Sequence, residues 1–160
     1  LEYNPNLKKL GFIYNTSEAN SITNLNKAKA FCEDNGIELI ESAVTNTNEV
    51  QQAAQVLASK VEAIFAPNDN TVASAMPGLA NAAIQAKIPV YCGADSMVND
   101  GGFATIGINY ESLGQETAVM VDQILKGTKP ADIPVKVFKT DLQTIVNEET
   151  AKAIGIEVKE

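Results

Sequence analysis

The 160-residue chain contains no histidine. That removes the commonest general base, the commonest metal ligand and every Ser-His-Asp arrangement. Cysteine is scarce: Cys32 falls on the apolar stripe of a predicted helix and Cys92 inside a predicted strand. Both read as buried, inert thiols. A disulfide between them is compatible with the sequence, but nothing demands it, and two cysteines do not decide the redox compartment. No apolar run reaches about 18 residues, so no segment reads as a membrane-spanning helix. The opening Leu1-Glu2-Tyr3 has no basic-plus-apolar leader, as expected if a leader has been removed or the chain is an excised piece. Lys and Arg are few and scattered, 12 against 20 Asp and Glu, giving a net charge of -8. Without clustered cations a nucleic-acid partner is excluded, and the acidity serves solubility. No Walker A or GxGxxG pattern occurs. The loop after the first strand has no glycine, against a flavodoxin-type phosphate loop, and no acidic pair, against a response-regulator receiver.

What remains is the composition of one ordinary domain, 45% hydrophobic and long enough to build a core. Strand-like and helix-like patterns alternate. Leu10–Tyr14 is a buried first strand. A helix follows with Ile22, Leu25, Ala28 and Cys32 on one face, stopping at Asn35-Gly36. Ile37–Ser42 alternates apolar and polar, as a strand near a sheet edge does. Asn46 and Glu49 make a capping-box-like start for a helix with Val50, Ala53, Ala54 and Leu57 inward. Ala63–Ala66 is the third strand, and Pro67-Asn68-Asp69-Asn70 ends it. A third helix starts at about Thr71, and Pro77-Gly78 kinks or restarts it. Ile88–Cys92 and Ala104–Ile108 are further strands. A fourth helix is expected to turn Leu113, Thr117, Met120, Val121, Ile124 and Leu125 inward and to stop at Lys126-Gly127 and Pro130. Val135–Phe138 and Leu142–Val146 read as strands or extended crossovers. Asn147-Glu148-Glu149 caps a last helix ending at Gly155. There is no internal repeat.

Alternating β and α elements predict an α/β fold, a doubly wound, mostly parallel sheet of flavodoxin-like order. Such sheets bind ligands outside the carboxyl ends of their strands, at the point where strand order reverses. Three loops therefore carry the functional expectation. The first, Asn15-Thr16-Ser17-Glu18-Ala19-Asn20-Ser21, runs into a helix N-terminus, where free amides and the helix dipole favour an anion. It also reads as a capped, solvated loop. The second is Asn68-Asp69-Asn70-Thr71, in which Asn70 or Thr71 is the expected N-cap. In the third, Gly93-Ala94-Asp95-Ser96, the glycine lets the backbone turn, and Asp95 is either a site residue or a turn residue. Two helix N-termini for a carboxylate, and Glu18, Asp69 and Asp95 for an ammonium, suit a zwitterion such as an amino acid. Tyr14 and Tyr91 either offer a ring something to stack on or are buried by strand alternation. No metal site, cofactor or catalytic residue is expected.

At these loops the chain resembles the ABC-importer substrate-binding proteins related to tryptophan- and tyrosine-binding proteins. Residues 14–21 (Tyr-Asn-Thr-Ser-Glu-Ala-Asn-Ser) are similar to that family's signature loop. Pro67–Val72, Asp95–Val98, Ala104–Tyr110, Leu125–Pro130 and Ile145–Asn147 match in order, so the similarity covers nearly the whole chain from Asn6. The resemblance implies a type I periplasmic-binding fold with a ligand closed between two lobes. About half of the family's usual chain is then present, as the carboxy-terminal lobe, and the amino-terminal lobe is missing. Leu1–Pro5 would be the end of a helix leading into this lobe. Residues 103–134 would be a crossover segment whose helix belongs to the missing lobe, so that here it packs differently or exchanges with another chain. Carried over, the resemblance points to Asn15, Ser17, Glu18, Asn20, Ser21, Asp69, Asn70, Thr71, Asp95 and Ser96 as ligand-binding. Asp95 or Asp69 would take the ammonium, and Ser21 and Thr71 the carboxylate. It implies an extracytoplasmic component of an importer that hands a small solute, an aromatic or apolar amino acid, to permease subunits. The alternatives are a sensory or regulatory domain of the same fold and a small flavodoxin-like enzyme.

Overall fold

In a computed structural model the described residues are 3–108, 110–138 and 142–158. Asn109, inside one of the matched stretches, and Leu1-Glu2 lie outside them. Among the described residues six strands form one sheet: β1 (Lys9–Asn15), β2 (Glu38–Val44), β3 (Ala63–Ala66), β4 (Val90–Cys92), β5 (Ala104–Ile108) and β6 (Leu142–Val146). Their order is β2-β1-β3-β4-β5-β6. β1 to β5 pair in parallel, and β6 runs antiparallel to β5. β2 is the edge strand its alternation suggested. The chain leaves β1 outward to β2, then returns past it to β3, so strand order reverses between β1 and β3.

Register explains the two faces. Phe12 pairs with Phe65, Phe65 with Tyr91 and Tyr91 with Ala104, so this row shares one face of the sheet. On that face α1 (Ala19–Asp34) packs Leu25 against Phe12 and Tyr14. The opposite face holds the main core. There α2 (Thr47–Ala58) and α4 (Met76–Ala86) bring Val50, Leu57, Met76 and Leu79 onto Ile13 and Ile64. Each of these six is at most 2% exposed, and burial of each contributes about 1.5–3 kcal/mol. α2 comes so close that a Cβ on Gly11 would lie 2.8 Å from Leu57, which is why a residue without a side chain stands there.

Pro77 acts as expected. The short helix α3 (Asn70–Ser74) ends, and α4 restarts with proline in its first turn, where its missing N–H costs nothing. α7 (Glu148–Ile154) is capped by Asn147, whose side chain accepts from the Thr150 amide, and closes at Gly155 with φ of 80°.

The structure corrects several expectations. α6 (Tyr110–Leu125) has no buried residue, and Val121, Ile124 and Leu125 are 48%, 41% and 81% exposed. Its apolar stripe is real, but within the described residues no layer lies against it. Of the two readings of Val135–Phe138, the extended crossover stands, since it joins no ladder among the described residues and Val135 and Val137 are exposed. Tyr3–Pro5 form a bend and the start of a turn, with no helical residue among them. A helical turn, α5 (Asp95–Asn99), stands where only a loop was expected.

Candidate functional site

The loops after β1, β3 and β4 meet at the carboxyl edge of the sheet, beside the reversal of strand order. The Asn15 amide donates to Asp69 Oδ2 at 2.7 Å, and the Ser21 hydroxyl donates to the same oxygen at 2.7 Å. The other oxygen, Oδ1, accepts from the Val72 amide at 3.0 Å and so caps α3. Asp69, not Asn70 or Thr71, is the N-cap. The Asn15 side chain donates to Thr71 Oγ1 at 2.7 Å, while its own Oδ1 accepts from the Ser17 amide and hydroxyl. Asn20 donates to the Asn68 carbonyl.

Glu18 has an unexpected place. Its carboxylate accepts from the Asn70 amide at 3.0 and 3.1 Å, from the Asn70 side chain at 3.2 Å and from the Thr71 amide at 3.3 Å. The start of α3, expected to receive a ligand's carboxylate, is thus served by a side chain of this protein. The amino end of α1 differs: Glu18 is its N-cap residue but makes no side-chain cap bond there. No side chain caps its first turn, in which the Ser21 amide donates to the Glu18 carbonyl at 3.1 Å.

The third loop is drawn in through Gly93. A Cβ there would stand 2.5 Å from the Asn68 backbone nitrogen and 2.6 Å from Asn68 Oδ1. The glycine is required by this close approach, beyond the turn inferred from sequence, and it sets Ala94, Asp95 and Ser96 beside Asn68. Asp95 is half-buried, and one of its oxygens accepts from the Ser96 amide at 2.7 Å. Ser96 is exposed.

The ten expected residues therefore divide. Asp69, 2% exposed, and Ser21, fully buried, bond each other and the backbone. Both are enclosed and turned to bonds within the protein, where the sequence suggested a ligand's ammonium and carboxylate. Asn15, Ser17, Thr71 and Asn70 join the same frame. Glu18, Asn20, Asp95 and Ser96 stand at its surface. Asn68, through which all three loops touch, was not among the ten; its position directly after Pro67 was the available signal. Tyr14 and Tyr91 serve elsewhere. Tyr14 is buried against Phe12 and donates to Glu41 at 3.2 Å. Burial, then Glu41, raises its pKa above the ordinary phenol value. Tyr91 packs edge-on to Phe103 and donates to Asn4 at 3.0 Å.

The rim is acidic, with Glu18, Asp69 and Asp95 and no Lys or Arg in residues 15–21, 68–71 and 93–96. Among the described residues no three His, Cys, Asp or Glu side chains group as a metal site would. Both cysteines are free and buried, and burial pushes the Cys92 thiol to about 12. The rim thus sets carboxylate oxygens and the amino end of α1 side by side at the carboxyl edge of the sheet.

Known proteins share this arrangement of elements. The family model for ABC transporter substrate binding proteins matches residues 2–160. A tyrosine-binding protein of Clostridioides difficile is 34% identical over 153 residues, covering 96% of this chain and 44% of that protein. A Streptococcus pneumonia ABC domain solved in complex with L-Trp superposes with a TM-score of 0.89 at 40% identity, and a conserved domain protein from Vibrio cholerae with 0.92 at 38%. Each match covers 99% of this chain and 53% of the solved one. The chain thus spans about half the length of the relatives it matches.

Proposed function

The chain belongs to the ABC transporter substrate binding protein family, and on that premise we propose that it is one of two lobes that close on a small zwitterion for delivery to a permease. The observation that carries the ligand class is the rim's division of labour. Its frame is held by bonds within the protein, and Glu18 serves the start of α3, which leaves Asp95 as the rim carboxylate without such a task and α1 as the helix end without a capping side chain. Asp95 takes the ammonium. The first-turn amides of α1, with Asn20 and Ser96 beside them, take the carboxylate. An amino acid has that polarity, and relatives described as tyrosine-binding and as solved with L-Trp support an aromatic one. Asp69 and Ser21 act by holding the loops.

Half of the ligand shell belongs to the other lobe. The exposed stripe of α6 supports this reading: the segment that follows β5 crosses toward that lobe, and Val121, Ile124 and Leu125 pack on it there. The mechanism is hinge closure with no bond made or broken, on the outer side of the cytoplasmic membrane.

The test is calorimetry on the two-lobe protein against amino acids, nucleosides and sugars, with Asp95→Ala beside the parent. An aromatic amino acid should bind, and Asp95→Ala should weaken it roughly 10–100-fold, as loss of one charge-assisted contact does. Binding of sugars alone, or an unchanged affinity in Asp95→Ala, would refute the zwitterion reading.

A further inference from the structure

Glu18 stands at the N-cap position of α1, yet its side chain makes no cap bond there. It reaches instead across the rim to the start of α3, 52 and 53 positions further along the chain. There its carboxylate accepts from the Asn70 and Thr71 amides, while Asp69 accepts from the Val72 amide. The first three amides of α3 are therefore all taken by carboxylates of the protein itself.

Two further observations bear on what a ligand meets at this rim. The sequence contains no arginine, the side chain that grips a carboxylate with two parallel bonds. Among the described residues the lysine ion pairs lie elsewhere, and none includes Glu18, Asp69 or Asp95. Hydrogen bonds from amides and hydroxyls orient these carboxylates but do not cancel their net charge. Glu18 is half-buried, so solvent screens its charge only in part.

We propose that Glu18 is a specificity-determining residue of this site, one that turns away ligands of net negative charge. The proposal rests on the zwitterion reading above and narrows it. The amino end of α1 takes one carboxylate. Glu18 leaves no free amide for a second at α3, and its own charge opposes the first. A ligand must then bring an ammonium, because only a positive charge offsets the field of the rim. The class admitted is amino acids with uncharged side chains. Acidic amino acids, and acids of the same shape that lack the amino group, are excluded.

The test is calorimetry on the two-lobe protein and its Glu18→Gln variant, which keeps the length of the side chain and loses its charge. The probes are L-tryptophan and L-tyrosine, their singly positive carboxamides and their singly negative deaminated acids. Weak probes are measured by displacement of the amino acid. Relative to the amino acid, Glu18→Gln should weaken the carboxamide roughly tenfold and strengthen the deaminated acid by a similar factor. Both shifts should shrink as salt is raised. A merely structural role for Glu18 would change all affinities by one factor at every salt concentration. That result, or ratios that the substitution leaves unchanged, overturns the proposal while the zwitterion reading stands. A parent protein that binds neither amino acid refutes the zwitterion reading, and the role of Glu18 falls with it.

Discussion

Replacing Asp69 by asparagine isolates the frame of the rim from everything else this residue does. The carboxylate accepts three hydrogen bonds inside the protein, from the Asn15 amide and Ser21 hydroxyl on one oxygen and the Val72 amide on the other. Asparagine keeps an oxygen for Val72, and it is as good an N-cap as aspartate, so the cap of α3 survives. The other oxygen becomes an NH2 group facing two donors. The Ser21 hydroxyl can rotate and accept from it, but the Asn15 amide cannot, and a buried donor left without a partner costs about 1–3 kcal/mol. With the donor–donor repulsion, the expected loss is about 2–3 kcal/mol. At about 2–4 °C per kcal/mol for a chain of this size, Tm should fall by about 4–12 °C. Asp69→Ala also removes the cap and should lose roughly 1–2 kcal/mol more. The assay is urea unfolding of the 160-residue chain followed by circular dichroism, with thermal melts beside it. A change within about 0.5 kcal/mol for Asp69→Asn would refute the reasoning, since it would mean that the bonds joining β1, α1 and α3 carry no net stability.

Gly93→Ala should lower stability by about 1–3 kcal/mol in the same melts, because its Cβ would meet the Asn68 backbone at 2.5 Å and the loops would have to part. Cys92 should resist iodoacetamide at pH 8 and react only in denaturant, its pKa having been raised by burial from 9.0 to about 12. The sign follows: its stabilising contribution is complete below pH 9 and is lost as the pH climbs toward 12, which alkaline urea titrations will show. Glu49 is held below its ordinary pKa by hydrogen bonds from Thr45, chiefly the backbone amide. Its contribution is present above the ordinary carboxylate range and fades as the pH falls below it, so the urea midpoint of Glu49→Gln should approach that of the parent protein at acid pH.

Most of the fold is legible in the sequence because its signals are local. Short apolar runs, the capping residues Asn46 and Asn147 and the break at Pro77 act within a few residues, and the structure places strands, helix ends and the restart of α4 accordingly. The five-residue α5 is too short for any periodicity to show. The stripe on α6 shows a different limit: spacing reveals that a helix has an apolar face but is silent on what that face meets. The rim shows the same limit in polar form. Residue types after each strand mark Glu18, Asp69 and Asp95 as acidic and near one another. Whether a carboxylate faces solvent or is enclosed depends on partners 48 to 54 positions away, such as Ser21 and Asn15 for Asp69 and Asn70 for Glu18. Gly93 could be read as a turn, yet the contact that requires it is to Asn68.

That long reach in sequence has a consequence for how the lobe matures. Loop-closure entropy must be overcome before the Asp69 clasp can form, so the clasp waits on the pairing of β1 with β3 and cannot assemble in a nascent fragment that stops short of α3. The ordering of the rim and the joining of β1, α1 and α3 then arrive together. A partly folded chain would present its rim carboxylates scattered.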